Sequence, residues 1–533
     1  MLSLYLEKLL LKILDTRFNN DQLWLIAIFI SLGLIAITLF LKEKYLYSIF
    51  ILFIGGLIFR LFVAHLDPYL NLWDEQYHAL VAKNMLGDPF TPMLYKTPIL
   101  DYDYTNWTAN HIWLHKQPLF LWIIAISFKV FGINEFALRF PSVIMFSLMI
   151  LFIYRIGSLL ADKKTGWLAA FLYTFSGFFI EFVSGRLHTD HNDIAFIFFV
   201  TASIWSFLEY KKSNKKYWIV IIGIFAGAAV LTKWLTGLLV YSGWLALILY
   251  KKEERLSQKR YGELFLSLCI SLLVALPWQI HIFNSFPKES SYELSQNANH
   301  FFESVEGHTG DIPYHFSQVL IQYGSIFLAF VIIGLIFLFN DASKKELVVF
   351  SIACIGIVFI FFTLAQTKMP MFTSVTCSFL FVAAGLSLKK LLDYSQRYGR
   401  FSPFLNNFLL LIVVGIYMLD ISNTIERKHT DGYTDNPYRQ VRMHNTEIDK
   451  KLKDILPSED YVIFNCDPLN AVLIMFYTDV IAAYGNYADR SGYDLLKKKG
   501  IKMAVFVDDK LPSYFADDAE VIKIKEKIIA MPE

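Results

Sequence analysis

The sequence predicts an all-helical polytopic membrane protein that carries a small α/β domain at its C-terminal end. Three observations lead there. Hydrophobic residues make up 55% of the 533-residue chain and charged residues only 18%, against about 25% charge in soluble domains. The hydrophobic residues come in blocks of roughly 17–22, long enough to cross about 30 Å of hydrocarbon as helix. Between the blocks, Lys and Arg gather in short loops at alternate ends of successive segments, as positive-inside topology requires.

Residues 1–21 include "LYLEKLLLKILDTRF", which mixes charge with Leu at helical spacing and predicts an interfacial amphipathic segment. About twelve transmembrane segments follow within 22–425, at 22–41, 45–65, 139–160, 166–185, 193–209, 217–232, 234–250, 262–281, 317–338, 346–364, 371–388 and 403–421. The basic loops "LKEK" near 42, "ADKKTG" near 163, "KKSNKK" at 211–216, "KKEERLSQKR" at 251–260, "SKKE" near 344 and "KK…RYGR" from 389 belong together on the cytoplasmic face. The outer face then receives 66–138, 186–192, a short turn near Lys233, 282–316, 366–370 and everything after 421. The apolar stretch 117–133 would flip every later loop if it spanned, so it is expected as a helix lying in the outer interface.

After about residue 425 charges return and the apolar runs shorten. "YVIFNC" (461–466) and "KMAVFV" (502–507) predict buried strands, and "PLNAVLIMFY" (468–477) and "GYDLLKKKG" (492–500) the helices between them. Residues 426–533 are therefore expected as a small α/β domain outside the cytoplasm. No glycine-rich phosphate loop links a strand to a helix there, so nucleotide binding is not indicated. A net charge of +2 points to no nucleic-acid partner, and four scattered cysteines to packing rather than a disulfide or metal framework.

Ionisable residues are concentrated on the outer loops. The first has Asp74, Glu75 and His78, then His115 and Lys116; the second has Arg186, His188, Asp190, His191 and Asp193; the third has His300, Glu303, Glu306, His308, Asp311 and His315; the fourth has Lys368. Each group also has a plain structural reading. Asp74 and Glu75 suit a helix N-terminus, "HTDHND" suits a solvated turn, and Lys116 and Lys368 suit snorkelling anchors. His188, Asp190, His191 and Asp193 offer metal-ligand types without the i, i+4 His spacing of a helical zinc site.

A resemblance bears on these readings. "WDEQYHALVAKNM" followed by "HKQPLFLWIIAISFKVFGINEFALRFPSVI" resembles the first outer loop of GT-C membrane glycosyltransferases, in the branch of lipid A aminoarabinose transferases and protein O-mannosyltransferases. That family's pattern is an Asp-Glu pair, Lys-Pro-Pro-Leu, an aromatic helix, then Gly and Arg-x-Pro-Ser. Here those are Asp74-Glu75, Lys116-Gln117-Pro118-Leu119, Gly132 and Arg139-Phe140-Pro141-Ser142. The second-loop acid matches at Asp190, with Asp193 as its alternative. "AAVLTKWL" with Lys233, "LPWQIHIF", "EGHTGDIPYHF" with His308 and "TKMPMF" with Lys368 continue the likeness to about residue 390. The chain departs from the pattern at Gln117, where proline is usual, and at Phe372, where tyrosine is common.

The resemblance implies inverting transfer of a sugar from a polyprenyl-phosphate donor to a hydroxyl or phosphate of a lipid A-type glycolipid, envelope glycan or protein, on the outer face of a bacterial inner membrane. A hydroxyl nucleophile needs a carboxylate to take its proton, and a phosphate leaving group needs cations for its growing charge. Asp74 is the expected base and Asp190 its helper. Lys116, His308 and Lys368 are the expected phosphate ligands, with Glu75, His78, Arg186 and Asp193 in support. No cofactor is expected; a divalent cation could bind but is not expected to be essential. The alternative from another class is a transporter or flippase of a lipid-linked sugar, disfavoured because the ionisable groups gather at one rim rather than at the midplane.

Overall fold

The protein is described from a computed structural model covering residues 20–185, 191–340, 344–399, 401–419, 437–458, 460–482 and 486–531. The expected amphipathic segment thus lies almost wholly outside the described residues, as does the expected domain boundary near 425. Among the described residues eight helices are long and apolar enough to cross a membrane, or ten if each of two bent pairs is one span. The protein is a multi-pass membrane protein with a small parallel sheet near its C-terminal end.

All twelve expected segments coincide with helix, and the count falls to ten for two reasons. Pro403–Leu419 is described over only 17 residues, up to the point where the described residues stop, and Tyr217–Tyr250 passes as one 34-residue unit. That unit is a hairpin. At Trp234 the backbone turns left-handed (φ 65°), and a Cβ on Gly237 would lie 2.7 Å from the Ala229 carbonyl carbon, so the chain doubles back on itself. Lys211 and Glu254, 3.7 Å apart, bring the far end of Leu239–Tyr250 back beside the start of Tyr217–Lys233.

Two other expected spans are bent. Lys163–Thr174 and Gly177–Val183 meet at 55°, and Tyr314–Tyr323 and Ser325–Asn340 at 112° across Gly324 (φ 82°). Elsewhere small residues let helices approach. Added Cβ atoms on Gly223 and Gly227 would lie 2.6 Å from the Ser267 carbonyl oxygen and 2.8 Å from that of Ser271, so Tyr217–Lys233 rests directly on Gln258–Ser285.

The basic loops converge on one end of the bundle, tied by Lys164–Asp393 and Lys389–Asp162 at 2.7 Å each and by Lys251–Glu346 at 2.7 Å. The acid- and histidine-rich loops converge on the other end. There Asp74–Asn84 carries the Asp-Glu pair in its first turn, and Pro118–Phe131, the expected interfacial helix, packs beside it. Asn134 caps the next helix, Glu135–Leu160, accepting the Ala137 N–H at 2.8 Å and so setting the position of Arg139 one turn in.

The C-terminal unit has strands β1 (Tyr461–Phe464), β2 (Ile481–Ala482), β3 (Lys502–Phe506) and β4 (Ile522–Ile524), all parallel, in the order β2-β1-β3-β4. Helices cover both faces, as a parallel sheet requires. Val462, Phe464, Met503 and Val505 pack with Tyr493 and Leu496 of Arg490–Lys498, while Ile463, Ala504 and Phe506 join the core that includes Ile474 and Phe476 of Pro468–Thr478. The unit is anchored to the first outer loop. Lys83, in the last turn of Asp74–Asn84, donates to the carbonyls of Met475 (2.9 Å) and Phe476 (2.6 Å) and pairs with Asp479 at 2.7 Å. Glu135 accepts from Tyr477 at 2.7 Å and from Lys450 at 2.8 Å, and Arg439 pairs with Asp67. The helix that begins with Asp74 is thereby held at its far end by the α/β unit.

Candidate active site

The two acids of the Asp-Glu pair face different surroundings. Asp74 opens its helix at the protein surface, and its carboxylate lies 3.4 Å from the Lys116 ammonium, both partly exposed. Glu75 points inward and is 2% exposed. Arg139 Nε donates to Glu75 Oε1 at 2.7 Å and Arg139 NH2 to Oε2 at 3.2 Å. His191 Nε2 lies 3.1 Å from Glu75 Oε1, and Ser142 Oγ lies 3.4 Å from the other ring nitrogen of His191. The remaining Arg139 donors bind the carbonyls of Ala64, Asp67 and Tyr69. Burial alone would raise the Glu75 carboxyl, but Arg139 and His191 hold it well below the usual carboxylate range. Gly185 (φ 74°) makes the close approach possible, since a Cβ there would sit 2.6 Å from His191 Nε2 and 2.8 Å from the Glu75 carboxyl carbon. The Arg-x-Pro-Ser motif and Glu75 thus lock the first outer loop to the start of His191–Ser213.

The loops that carry residues 300–308 and Lys368 close the other side. Trp107 Nε1 donates to Glu306 Oε1 at 2.6 Å, and His115 Nδ1 lies 3.8 Å from Glu293. Backbone N–H groups of Gln366, Thr367 and Lys368 donate to the carbonyls of Phe301, His300 and His308, each at 3.0–3.1 Å. Asp193 pairs with Lys233, whose ammonium stands 5.6 Å from the Phe372 ring centre. His300 feels this company. Burial lowers its pKa, Glu306 opposes the shift, and the charges of His115, Lys116 and Lys233 add to it. The rim therefore holds a partly exposed carboxylate next to an ammonium, with further cations and imidazoles close by.

Among the expected site residues, Asp74 and Lys116 meet directly, and Glu75 braces the loop that presents them. His78 is fully buried between Trp113 and Phe120, ring centres 5.9 and 6.2 Å away. Asp193 is buried and engaged by Lys233. His308 is half-buried beside the backbone of Lys368. The Lys368 ammonium turns inward and caps the helix Lys345–Leu364, donating to the carbonyls of Phe362 (2.9 Å), Thr363 (2.7 Å) and Ala365 (2.5 Å). To reach a phosphate it would have to release all three. Asp190 and Arg186 lie outside the described residues, as does His188 of the weighed metal set. Lys233, His300 and Glu306, noted in the sequence without an assigned role, join the site, and so do Trp107 and Glu293, for which the sequence carries no signal.

The motif departure at Gln117 has a local explanation. Its side chain is 3% exposed and accepts from Gln279 Nε2 at 2.7 Å, so the amide that replaces a ring finds a partner in the "LPWQIHIF" helix.

Comparison with known proteins agrees with this architecture. A family model described as dolichyl-phosphate-mannose-protein mannosyltransferase matches residues 115–281. An uncharacterized protein of Aquifex aeolicus is 27% identical over 263 residues, 46% of this chain and 49% of that protein. An undecaprenyl phosphate-α-4-amino-4-deoxy-L-arabinose arabinosyl transferase of Pseudomonas fluorescens is 28% identical over 196 residues, 34% of each chain. The matched segments therefore span half or less of these relatives. The crystal structure of ArnT from Cupriavidus metallidurans bound to undecaprenyl phosphate superposes with a TM-score of 0.62 at 14% identity, over 84% of this chain and 87% of that one. The chain has the fold of the GT-C membrane glycosyltransferases.

Proposed function

We propose that the protein transfers a sugar from a polyprenyl-phosphate carrier to an acceptor hydroxyl at the extracytoplasmic face of a bacterial inner membrane. The observation that carries this reading is the Asp74–Lys116 pair, a partly exposed carboxylate and ammonium 3.4 Å apart at the end of the bundle opposite the basic loops. The likeness to relatives named for undecaprenyl phosphate-linked aminoarabinose supports it. The acceptor oxygen attacks the anomeric carbon, the bond from that carbon to the phosphate oxygen breaks, and the acceptor proton passes to Asp74. The products are an inverted glycoside and polyprenyl phosphate. In the free enzyme Lys116 holds the Asp74 carboxylate in place. The donor phosphate competes for that ammonium, so binding the donor frees the base as it fills the site. His308, from the family pattern, and Lys233, paired with Asp193 in the free enzyme, are the further candidates for leaving-group charge. Membrane lipids surround the carrier's tail, and lipid, glycan and protein acceptors all suit the chemistry.

A strain lacking the gene should lose a defined sugar mass from one class of envelope glycolipid or glycoprotein, read by mass spectrometry and restored by the wild-type chain. Unchanged envelope masses, together with movement of a labelled lipid-linked sugar across proteoliposomes, would instead establish a flippase. Restored membranes should keep their transferase activity in EDTA. Loss of activity that manganese or magnesium reverses would make Asp190 and Asp193 ligands. For the face, a reporter active only outside the cytoplasm, fused after Glu533, should give signal, and a reporter active only in the cytoplasm should not.

A further inference from the structure

Trp73 immediately precedes the proposed base, and its backbone lies in a region that bulky residues rarely occupy (φ 62°, ψ −118°). Such a conformation costs roughly 1–3 kcal/mol and persists only where its surroundings enforce it. Here they do. Arg139 holds the carbonyls of Ala64, Asp67 and Tyr69, and Glu75 Oε2 accepts the Asn71 N–H at 2.5 Å, so the loop into Trp73 is fixed from inside. The outcome of this enforcement is an indole that remains 47% exposed beside the rim.

A second indole completes a wall. Trp107 stands with its ring centre 6.4 Å from that of Trp73, stacks on His115 at 4.4 Å with an interplanar angle of 7°, and is locked in plane by its N–H bond to Glu306. His115 is adjacent in sequence to Lys116 and lies 3.8 Å from Glu293. Two indoles thus stand beside the Asp74–Lys116 pair, with the Glu306 carboxylate at the edge of Trp107 and the His115 imidazole backing one of its faces. The faces of aromatic rings are electron-rich. The axial C–H face of a pyranose is apolar and faintly positive, and its equatorial hydroxyls need hydrogen-bond partners of the kind the exposed Glu306 carboxylate supplies, with the buried Glu293 behind His115. A lipid tail has no use for those acids, and a bare phosphate would be repelled by them.

We propose that Trp73 and Trp107 form a stacking platform for a pyranose ring, with Glu306 as its hydroxyl partner. The inference rests on the transferase reading and adds to it the residues that grip sugar. The ring could arrive on the donor or on the acceptor, and both share this chemistry.

The test uses the full chain in detergent and measures binding without turnover, so it can succeed even if transferase activity is never found. In the donor arm, affinity for bare undecaprenyl phosphate is compared with that for undecaprenyl phosphate carrying arabinose, mannose or 4-amino-4-deoxy-L-arabinose. In the acceptor arm, protein saturated with undecaprenyl phosphate is titrated with methyl pyranosides and with lipid A. The informative variant is Trp73→Gly, because glycine tolerates the left-handed backbone; it removes the ring while relieving the strain. It should be at least as thermostable as wild type, yet lose about tenfold in affinity for the sugar-bearing probe of one arm. Its affinity for bare undecaprenyl phosphate should be unchanged, and Trp73→Tyr should restore most of the loss. Weakened binding of bare undecaprenyl phosphate to the same degree would make Trp73 an interfacial lipid anchor and overturn the proposal. Wild-type sugar affinity of Trp73→Gly in both arms would also overturn it.

Discussion

Asp74→Asn is expected to lower turnover at least a hundredfold while leaving donor binding intact. The substitution keeps the shape and the helix N-terminal position of the side chain but removes its ability to accept the acceptor's proton. Loss of a general base costs 10²–10⁴-fold, or about 3–5 kcal/mol of barrier. The geometry sharpens the expectation. The Lys116 ammonium, 3.4 Å from Asp74, loses a competing carboxylate in this variant, so the donor phosphate should bind as tightly as in wild type or more so. Lys116→Ala should split differently, weakening donor affinity and rate together, because a phosphate contact exists before the bond breaks and strengthens as it does. Binding of a radiolabelled polyprenyl-phosphate sugar and single-turnover rates separate the two. Near-normal turnover in Asp74→Asn would reduce the exposed acid to a helix cap and move the base to Asp190, since Asp193 is already committed to Lys233.

What could be read in one dimension was what depends on one dimension. Span length and loop charge are local sums, and each of the twelve expected segments falls on helix among the described residues, with the basic loops at one end. The bends were harder to see. Pro141 and Pro277 lie inside continuous helices, whereas the 112° turn falls at Gly324 within an apolar run that reads as a single span. The strands β1 and β3 announced themselves as apolar runs, but β2 has two residues and β4 three, too short for any periodicity. At the site, adjacency of Asp74 and Lys116 was legible because both belong to the first outer loop. The direction in which a long side chain ends was not. Lys368 stands in the expected motif and still spends its ammonium on three helix-terminal carbonyls, and Glu75 and Arg139, separated by 64 residues, reveal their pairing only once the helices are assembled.

Arg139→Met should be the most destabilising single change around the site. It leaves the Glu75 carboxylate buried at 2% exposure without its guanidinium, held only by His191 and the Asn71 N–H, and it strips donors from the carbonyls of Ala64, Asp67 and Tyr69. Breaking a buried pair from one side costs about 3–5 kcal/mol, and the stranded carbonyls add to that. Glu75→Gln should be milder, because Arg139 keeps its three carbonyls and the Gln amide oxygen can still accept. The pH dependence separates a paired carboxylate from a merely buried one. Arg139 and His191 depress Glu75 in the folded state, so its contribution is present above the ordinary carboxylate pKa of about 4.3 and is lost as pH falls below it towards the depressed folded value. In detergent, the melting temperature of wild type should therefore exceed that of Glu75→Gln by a margin that is constant at neutral pH and narrows below about pH 4. A margin that widened on acidification would mean that Glu75 is held protonated, and the clamp that presents Asp74 would then have to be rebuilt around a neutral acid.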